Sequence, residues 1–374
     1  MIDATVTAAL VKGFTNLTAG HVIMILVGAA LIYLAISKEY EPVLLLPIGA
    51  GAILTNIPVT GMTEGEGLFR ILYDAGIKNE LFPLLIFVGV GAMTDFAPLL
   101  ERPYTVILGA AAQFGIFGTL LMATLLGFNI NEAASIGIIG SADGPTSIYV
   151  ASALAPQLLA PIAVAAYSYM SLVPIIQPPI MRALTTEAER AIVMPYSDSR
   201  PISQRAKVLF PIVVTLVCGL IAPMSAPLIG MLMLGNLLRE AGVVERLSSM
   251  AQNELINIVT LFLGLTIGST MTAESFLTSQ TLMIIAMGLV AFALDTVAGL
   301  SFGKALSIIT HGRVNPLIGA SGISAFPMSA RVVNRVGLEA NSNNFLIMHA
   351  MGSNTAGQIG SVMAGGALLA LLLR

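Results

Sequence analysis

The sequence has little charge for its length. Of its 374 residues only 10% are charged and 56% are hydrophobic, and the mean hydropathy is +0.90. Soluble domains carry about 25% charged residues, so a soluble chain of this composition could not keep its apolar surface out of water. The composition excludes a soluble globular protein and indicates that lipid surrounds most of the chain.

Other absences exclude further classes of protein. Cys218 is the single cysteine, which rules out an internal disulfide and a cysteine-based metal cluster. The three histidines are scattered and do not suggest a metal site. With a formal net charge of −3 and no basic tract, we expect no nucleic-acid partner. Residues 1–16 lack the basic start and apolar core of a cleaved signal, so we expect the chain to be inserted whole.

Apolar runs dominate the rest of the sequence. A run of about 20 apolar residues spans a bilayer, whereas shorter runs broken by Gly or Pro persist only where protein or a water-filled cavity satisfies their backbone. The sequence therefore predicts an all-α, multi-pass membrane protein with broken helices inside. The predicted spans are residues 21–36, 81–97, 104–128, 161–179, 208–224, 256–270, 282–309 and 344–373, and the short pieces are 43–57, 133–154, 227–238 and 317–328.

Three pairs of segments indicate that the chain is built from two similar halves. Segment 46–56 resembles 227–236, 79–91 resembles 253–268, and "GSADGPTS" (140–147) resembles "GISAFPMS" (322–329). Transporters built from two repeats place their ion site where the broken helices meet. The predicted organisation is an N-terminal segment 1–19, a first membrane repeat 20–180, a polar linker 181–207 and a second membrane repeat 208–374.

The linker also predicts the orientation. It contains five lysines and arginines, whereas the loops near 128–132 and 155–160 contain none. By the positive-inside rule the linker is expected to be cytoplasmic. Whether the short broken pieces cross the membrane or re-enter is left open by the sequence.

Asp143 lies at the first helix break. An acid at the bilayer centre costs about 2.5–3.5 kcal/mol on insertion scales and usually marks an ion or proton path. Together with nearby hydroxyls and freed carbonyls, its carboxylate forms a hard-oxygen set suited to Na⁺. Alternatively, Asp143 caps the half-helix that begins at Pro145, and the two readings are compatible. For Asp95 and Asp295 we expect interfacial or packing roles.

The matching break, residues 315–331, contains no acid, so a cation between the breaks depends on Asp143. Arg331 at its end is either a snorkelling anchor or a site for an anionic group. Tyr169 is either an interfacial aromatic residue or a deeper phenol that needs a polar partner.

Four long stretches carry a family resemblance: "GSADGPTSIY", "AAYSYMSLVPIIQPPIMRALTT", "NPLIGASGISAFPMSARV" and "NFLIMHAMGSNTAGQIGS". They resemble the β subunit of the sodium-pumping, biotin-dependent decarboxylases that act on oxaloacetate, methylmalonyl-CoA, glutaconyl-CoA or malonate. The likeness runs from about residue 20 to the C-terminus. It implies that the chain decarboxylates carboxybiotin on a carrier subunit, exports Na⁺ and consumes a proton.

The resemblance also implies roles for particular residues. The family's essential aspartate falls on Asp143 and its functional tyrosine on Tyr169, and Arg331 is a candidate for receiving the carboxylate of carboxybiotin. Tyr169 is the candidate proton donor and is also expected at the carboxybiotin site. The expected Na⁺-binding residues are Asp143, Asn315, Gly319, Ser324 and Asn354, with the ion itself at Asp143, Ser324 and Asn354.

The implied fold is an elevator-type transporter with a mobile core and a scaffold. The implied partners are a carboxyltransferase subunit, a biotin carrier subunit and a small membrane subunit, with a homotrimer of this chain in the bacterial or archaeal inner membrane. The compact length favours an acyl-CoA system over an oxaloacetate system. The competing class is a stand-alone Na⁺-coupled secondary transporter, either a Na⁺/H⁺ antiporter or a carboxylate symporter.

Overall fold

A computed structural model describes residues 11–195 and 202–373, and these form α-helices joined by short turns. Residues 1–10 of the N-terminal segment and 196–201 of the linker lie outside the described ranges. After helical residues 11–15, the α-helices are α1 Ala19–Ser37, α2 Pro42–Thr55, α3 Leu68–Leu72, α4 Leu81–Met93, α5 Ala97–Glu101, α6 Thr105–Ala111, α7 Phe114–Leu125, α8 Ile130–Gly137, α9 Gly144–Leu154, α10 Leu159–Leu184, α11 Glu187–Arg190, α12 Gln204–Ile221, α13 Ala226–Ala241, α14 Glu245–Met250, α15 Ile256–Ser269, α16 Ala273–Phe276, α17 Ser279–Ile309, α18 Met328–Ala340 and α19 Ile347–Leu372.

The membrane-spanning helices confirm the all-α, multi-pass prediction. Among the described residues, seven helical stretches are long and apolar enough to cross a bilayer. The predicted span at 81–97 differs, because α4 is too short and instead forms a pair with Leu68–Ile77 that bends by 61°. The seven stretches are Ala19–Ser37, Thr105–Leu125, Pro156–Leu184, Gln204–Ile221, Glu245–Ser269, Ser279–Ile309 and Ile347–Leu372.

Two close helix crossings join the two halves of the chain. Helix α2 packs against α15, and α13 packs against α4. Both crossings depend on glycine, because a Cβ on Gly235 would lie 2.0 Å from the Val88 carbonyl oxygen and one on Gly268 would lie 2.1 Å from that of Ile48. The amides of Asn56 and Asn236 complete the crossings by donating to the Met271 and Thr94 carbonyls at 2.7 and 3.0 Å.

The first broken segment is a re-entrant hairpin. Helix α8 leads into a 3-10 turn, Ile138–Ser141, and α9 returns from it. The two ends of the hairpin lie together, because Gln157 Nε2 donates to Glu132 Oε1 at 3.2 Å. The segment therefore enters and leaves on the same side, which answers the question that the sequence leaves open.

The second broken segment is also a hairpin, formed by a 3-10 turn, Pro316–Gly322, and α18. Its ends lie together as well, because the amides of Asn315 and Asn344 both donate to the Arg190 carbonyl, at 2.9 and 2.8 Å. The membrane-length helix α10 separates Gln157 at the base of the first hairpin from Arg190 at the base of the second. The two hairpins therefore enter the molecule from opposite ends.

Candidate functional site

The tips of the two hairpins meet inside the protein. The backbone N–H of Ser324 donates to the Ser141 carbonyl at 2.9 Å. The Ser324 hydroxyl donates to the Gly357 carbonyl of α19, also at 2.9 Å. The first hairpin, the second hairpin and α19 therefore converge at one point, as expected for matched helix breaks.

Asp143 is the N-cap of α9, so the capping prediction is confirmed. Ala142 has a left-handed backbone, with φ of 54°, which ends the 3-10 turn and aims the next residue at the start of α9. Thr146 N–H then donates to Asp143 Oδ1 at 3.1 Å. Pro145 follows in the first turn of the helix, where its missing N–H removes no helical bond.

The second carboxylate oxygen of Asp143 is held by hydroxyl groups. Thr146 Oγ1 donates to Oδ2 at 2.7 Å, and Ser361 Oγ of α19 donates to the same atom at 2.6 Å. Asp143 itself is 7% exposed. A buried carboxylate with three donors is held in one orientation, and its charge is available to a cation that enters the site.

A cavity of about 320 Å³ opens on this carboxylate. Asp143, Tyr167, Ser324 and Gln358 line it from the hairpin tips and the neighbouring helices, and α2 contributes Glu41 at its start. None of the described residues that line the cavity is lysine, arginine or histidine. The cavity therefore has mainly apolar walls that carry two acids and several neutral oxygens, with no positively charged side chain among the described lining residues.

Several residues predicted for the site lie elsewhere. Asn315 stands at the base of the second hairpin, where its amide donates to the Arg190 and Ile192 carbonyls and its Oδ1 accepts from Leu317 N–H. Gly319 packs in the same hairpin against the Gly299 backbone. Both residues hold the hairpin rather than line the cavity at Asp143.

Asn354 lies behind the tip of the second hairpin. Its amide donates to the carbonyls of Ser321 and Ile323 at 3.1 and 2.6 Å. Its Oδ1 is buried and has no hydrogen-bond partner among the described residues. This free oxygen suits a cation ligand, although Asn354 does not line the cavity at Asp143.

Tyr169 and Arg331 are also outside the cavity. The Tyr169 hydroxyl donates to the Ile285 carbonyl of α17, so this phenol is buried and bonded. Arg331 lies in the first turn of α18, just beyond the tip of the second hairpin, and is exposed. A charged residue near a hairpin tip usually faces water rather than lipid.

Asp95 and Asp295, the two other acids considered in the sequence, lie in different environments. Asp95 accepts from Ala97 N–H at 2.9 Å and lies 3.8 Å from Arg239, which fits the expected role near a helix end. Asp295 is fully buried in the middle of α17 and lies against Gly115 and Gly140, so the interfacial expectation is wrong and a packing role stays a prediction. The length of α17, 31 residues, places this residue far from either end.

Sequence reasoning gave too little weight to two residues of the cavity. Tyr167 packs its ring against Gly144, where a Cβ would lie 2.2 Å from the ring, and its hydroxyl has no partner among the described residues. Glu41 stands just before Pro42, as Asp143 stands just before Gly144 and Pro145. An acid next to a proline at the start of a short apolar helix was the signal available in the sequence.

The fold and site define a class of protein: a multi-pass membrane protein with a cavity that contains two acids at the meeting point of two re-entrant hairpins. Comparison with known proteins identifies the family. The family model of the Na⁺-transporting oxaloacetate decarboxylase beta subunit matches residues 20–372.

Curated relatives agree with this match along almost their whole length. The chain is 56% identical to the methylmalonyl-CoA decarboxylase subunit beta of Veillonella parvula over 361 residues, covering 96% of this chain and 95% of the relative. It is 56% identical to the glutaconyl-CoA decarboxylase subunit beta of Acidaminococcus fermentans, covering 96% of both. It is 48% identical to the oxaloacetate decarboxylase beta chain 2 of Salmonella typhi, covering 96% of this chain and 97% of the relative.

The chain belongs to the family of beta subunits of Na⁺-transporting decarboxylases. It is the membrane subunit of a multi-subunit complex in which decarboxylation is coupled to Na⁺ transport. The competing reading, a stand-alone secondary transporter, is not favoured by these relatives.

Proposed function

We propose that this subunit decarboxylates carboxybiotin presented by a carrier subunit, exports Na⁺ and consumes a proton. The observation that carries this proposal is the Asp143 carboxylate, which is fixed by three donors at the contact of two hairpin tips and faces a cavity with no basic residue among its described lining. An anionic site of this kind is suited to Na⁺ and H⁺, the two cations that the reaction handles.

The proposed Na⁺ site is built around Asp143 and Ser324. Asp143 supplies the charge, and Ser324 and carbonyls at the tips supply neutral oxygens. Asn354 offers its free Oδ1 as a further ligand behind the second tip. Asn315 and Gly319 contribute by holding the second hairpin in place, because their contacts are at its base and along its packed side.

Arg331 is proposed to receive the carboxylate of carboxybiotin. Its guanidinium is exposed beside the second tip, on the hairpin whose base lies at the linker, so a biotin carried by a soluble partner could reach it. When the bond between the biotin nitrogen and the carboxyl carbon breaks, CO₂ leaves and the biotin anion takes up a proton. Tyr169 is the proposed proton donor, since its reference pKa near 10 lets it bind and release a proton.

The re-entrant hairpins support an inverted repeat and an elevator-type mechanism. They enter from opposite ends and meet at their tips, and the α2–α15 and α4–α13 crossings use corresponding segments of residues 20–180 and 208–374. In such folds the ion site lies at the interface of the repeats. We propose that the hairpins belong to the mobile core and that these two crossings belong to the scaffold.

The proposed partners are a carboxyltransferase subunit, a biotin carrier and a small membrane subunit, with three copies of this chain in a bacterial or archaeal inner membrane.

We propose an acyl-CoA substrate for the complex. The alignments to the methylmalonyl-CoA and glutaconyl-CoA subunits span 361 positions at 56% identity, whereas that to the oxaloacetate subunit spans 422 positions at 48%. Co-purification with the native partners tests both statements.

The substitution Asp143→Asn tests the Na⁺ site. It keeps an oxygen for the cap and removes the charge, so the complex is expected to assemble but to lose Na⁺-stimulated decarboxylation of carboxybiotin. The measurement is the initial rate against Na⁺ concentration in the purified complex. The matched control is Asp74→Asn, which removes a partly exposed acid that is paired with Arg70 and lies outside the cavity, and it should behave as wild type. Near-normal Na⁺ activation of Asp143→Asn would exclude the assignment.

A further inference from the structure

The cavity at Asp143 holds a second carboxylate, that of Glu41, which the proposed Na⁺ site does not use. Asp143 is buried, whereas Glu41 is only partly buried at the start of α2. Two acids in one cavity without a lysine, arginine or histidine among its described lining residues leave negative charge that a cation can neutralise.

The local structure of Glu41 does not account for its carboxylate. Glu41 is the N-cap residue of α2 and has a left-handed backbone, φ 37°, but its side chain makes no capping hydrogen bond. Among the described residues its carboxylate has no hydrogen-bond or ion-pair partner. Burial raises the pKa of this carboxyl, which shows that ionising it here has a cost that a neighbouring cation would offset.

Two other acids with a similar backbone, Glu39 and Glu80, do not line the cavity as Glu41 does. Glu39 has the same left-handed backbone two residues earlier but is exposed and does not line the cavity. Glu80 is also a left-handed N-cap residue, at the start of α4, and it too lies outside the cavity. A general preference for acids at helix starts therefore does not explain why one of them lines this cavity.

The hydroxyl of Tyr167 gives an independent sign of a ligand. Tyr167 is 4% exposed and lines the same cavity as both acids, yet its hydroxyl has no partner among the described residues. Buried polar groups are nearly always satisfied, so an unpaired hydroxyl in an acidic cavity indicates a group that is bound there in use. Its oxygen and the carboxylate of Glu41 are both hard donors suited to Na⁺.

We propose that Glu41 is an outer Na⁺-binding residue of the cavity, which binds Na⁺ together with the Tyr167 hydroxyl before the ion reaches Asp143. This inference rests on the proposed Na⁺ site at Asp143 and adds an entry step to it. Because Glu41 is less buried than Asp143, it raises the local Na⁺ concentration at the buried carboxylate without holding the ion in its final position.

The substitution Glu41→Gln in the assembled complex tests this role. It keeps the shape of the side chain and removes its charge. The apparent KM for Na⁺ in carboxybiotin decarboxylation is expected to rise roughly tenfold, while the maximal rate at saturating Na⁺ stays within about twofold of wild type, because Asp143 is intact. Glu41→Asp, which keeps the charge on a shorter side chain, should give a smaller rise in the apparent KM for Na⁺. It provides the test if the Glu41→Gln complex does not assemble.

Glu39→Gln is the matched control from the same loop and should leave both parameters unchanged. An unchanged KM for Na⁺ in the Glu41 variants would overturn the proposal. A lower maximal rate at unchanged KM would overturn it as well, because it would assign Glu41 to proton transfer. Complete loss of Na⁺ response, as expected for Asp143→Asn, would place Glu41 in the final site. Failure of the Asp143 assignment would instead appear as retained Na⁺ activation in Asp143→Asn.

Discussion

At the scale of single residues, the carboxylate of Asp143 caps α9 and is also the proposed Na⁺ ligand, two roles that the sequence left compatible. Its Oδ1 caps α9 and its Oδ2 accepts from two hydroxyls, one of which comes from Ser361, 218 residues away. Hydrogen bonds donated to a carboxylate stabilise its ionised form, which is the form that binds Na⁺. The structural cap therefore also orients the charge of the proposed Na⁺ site.

Replacement of Ser361 by alanine tests this orientation. A hydrogen bond to a charged group contributes about 1.5–3 kcal/mol, so its loss is expected to raise the apparent KM for Na⁺ by roughly tenfold or more. The measurement is the Na⁺ dependence of decarboxylation in the assembled complex. Ser152→Ala is the matched control, because among the described residues the Ser152 hydroxyl bonds only to the Tyr149 carbonyl of its own helix. Equal KM values for the two variants would show that Ser361 does not act on the site.

At the scale of helices, the α4–α13 crossing is held at backbone contact distance. Gly235 of α13 lies against the Val88 carbonyl, whereas a Cβ added at Gly230 of the same helix would lie 3.9 Å from its nearest neighbour, the Thr215 side chain. The two glycines therefore lie in the same helix, but only Gly235 is tightly packed. Close approach of this kind in membranes depends on small residues.

Alanine substitutions at the two glycines make a matched pair. Gly235→Ala forces α4 and α13 apart and is expected to destabilise the protein by about 1–3 kcal/mol. Gly230→Ala should be neutral or slightly stabilising, because alanine is the better helix former. The midpoint of thermal unfolding in detergent measures both. A Gly235→Ala protein as stable as Gly230→Ala would contradict the close crossing.

At the scale of the whole molecule, the direction of entry of the hairpins fixes the topology. Gln157 marks the base of the first hairpin, and the linker residues that follow α10 mark the base of the second. Since α10 crosses the membrane between them, the two bases belong to opposite sides. The positive charge of the linker predicts that its side is cytoplasmic.

Single cysteines at Gln157 and Glu187, both exposed, test this topology after Cys218 is replaced. A membrane-impermeant maleimide is expected to label Glu187→Cys only from the cytoplasmic side and Gln157→Cys only from the opposite side. Labelling is measured in inside-out and right-side-out vesicles, which expose the cytoplasmic and the opposite side, respectively. Labelling of both positions from one side would contradict opposite entry of the hairpins.

The sequence alone was enough to predict the lipid environment, most of the spans and the break at Asp143. These features depend on composition, apolar length and short-range chemistry, such as a cap residue one position before Gly144 and Pro145. The span predicted at 81–97 corresponds to α4 alone, which ends at Met93 and is joined to the helical stretch Leu68–Ile77 by a 61° bend at residues 78–80. Apolar length did not reveal this bent pair, because the break lies in the polar residues before the apolar run.

The tertiary structure decided which residues share the site. Tyr167 and Tyr169 are two residues apart, so on a helix they point about 200° away from each other. Only packing shows that Tyr167 faces the cavity while Tyr169 bonds to α17. Glu41 and Ser361 reach Asp143 or its cavity from far along the chain. Such meetings depend on how helices cross and hairpins enter, which no local sequence pattern specifies.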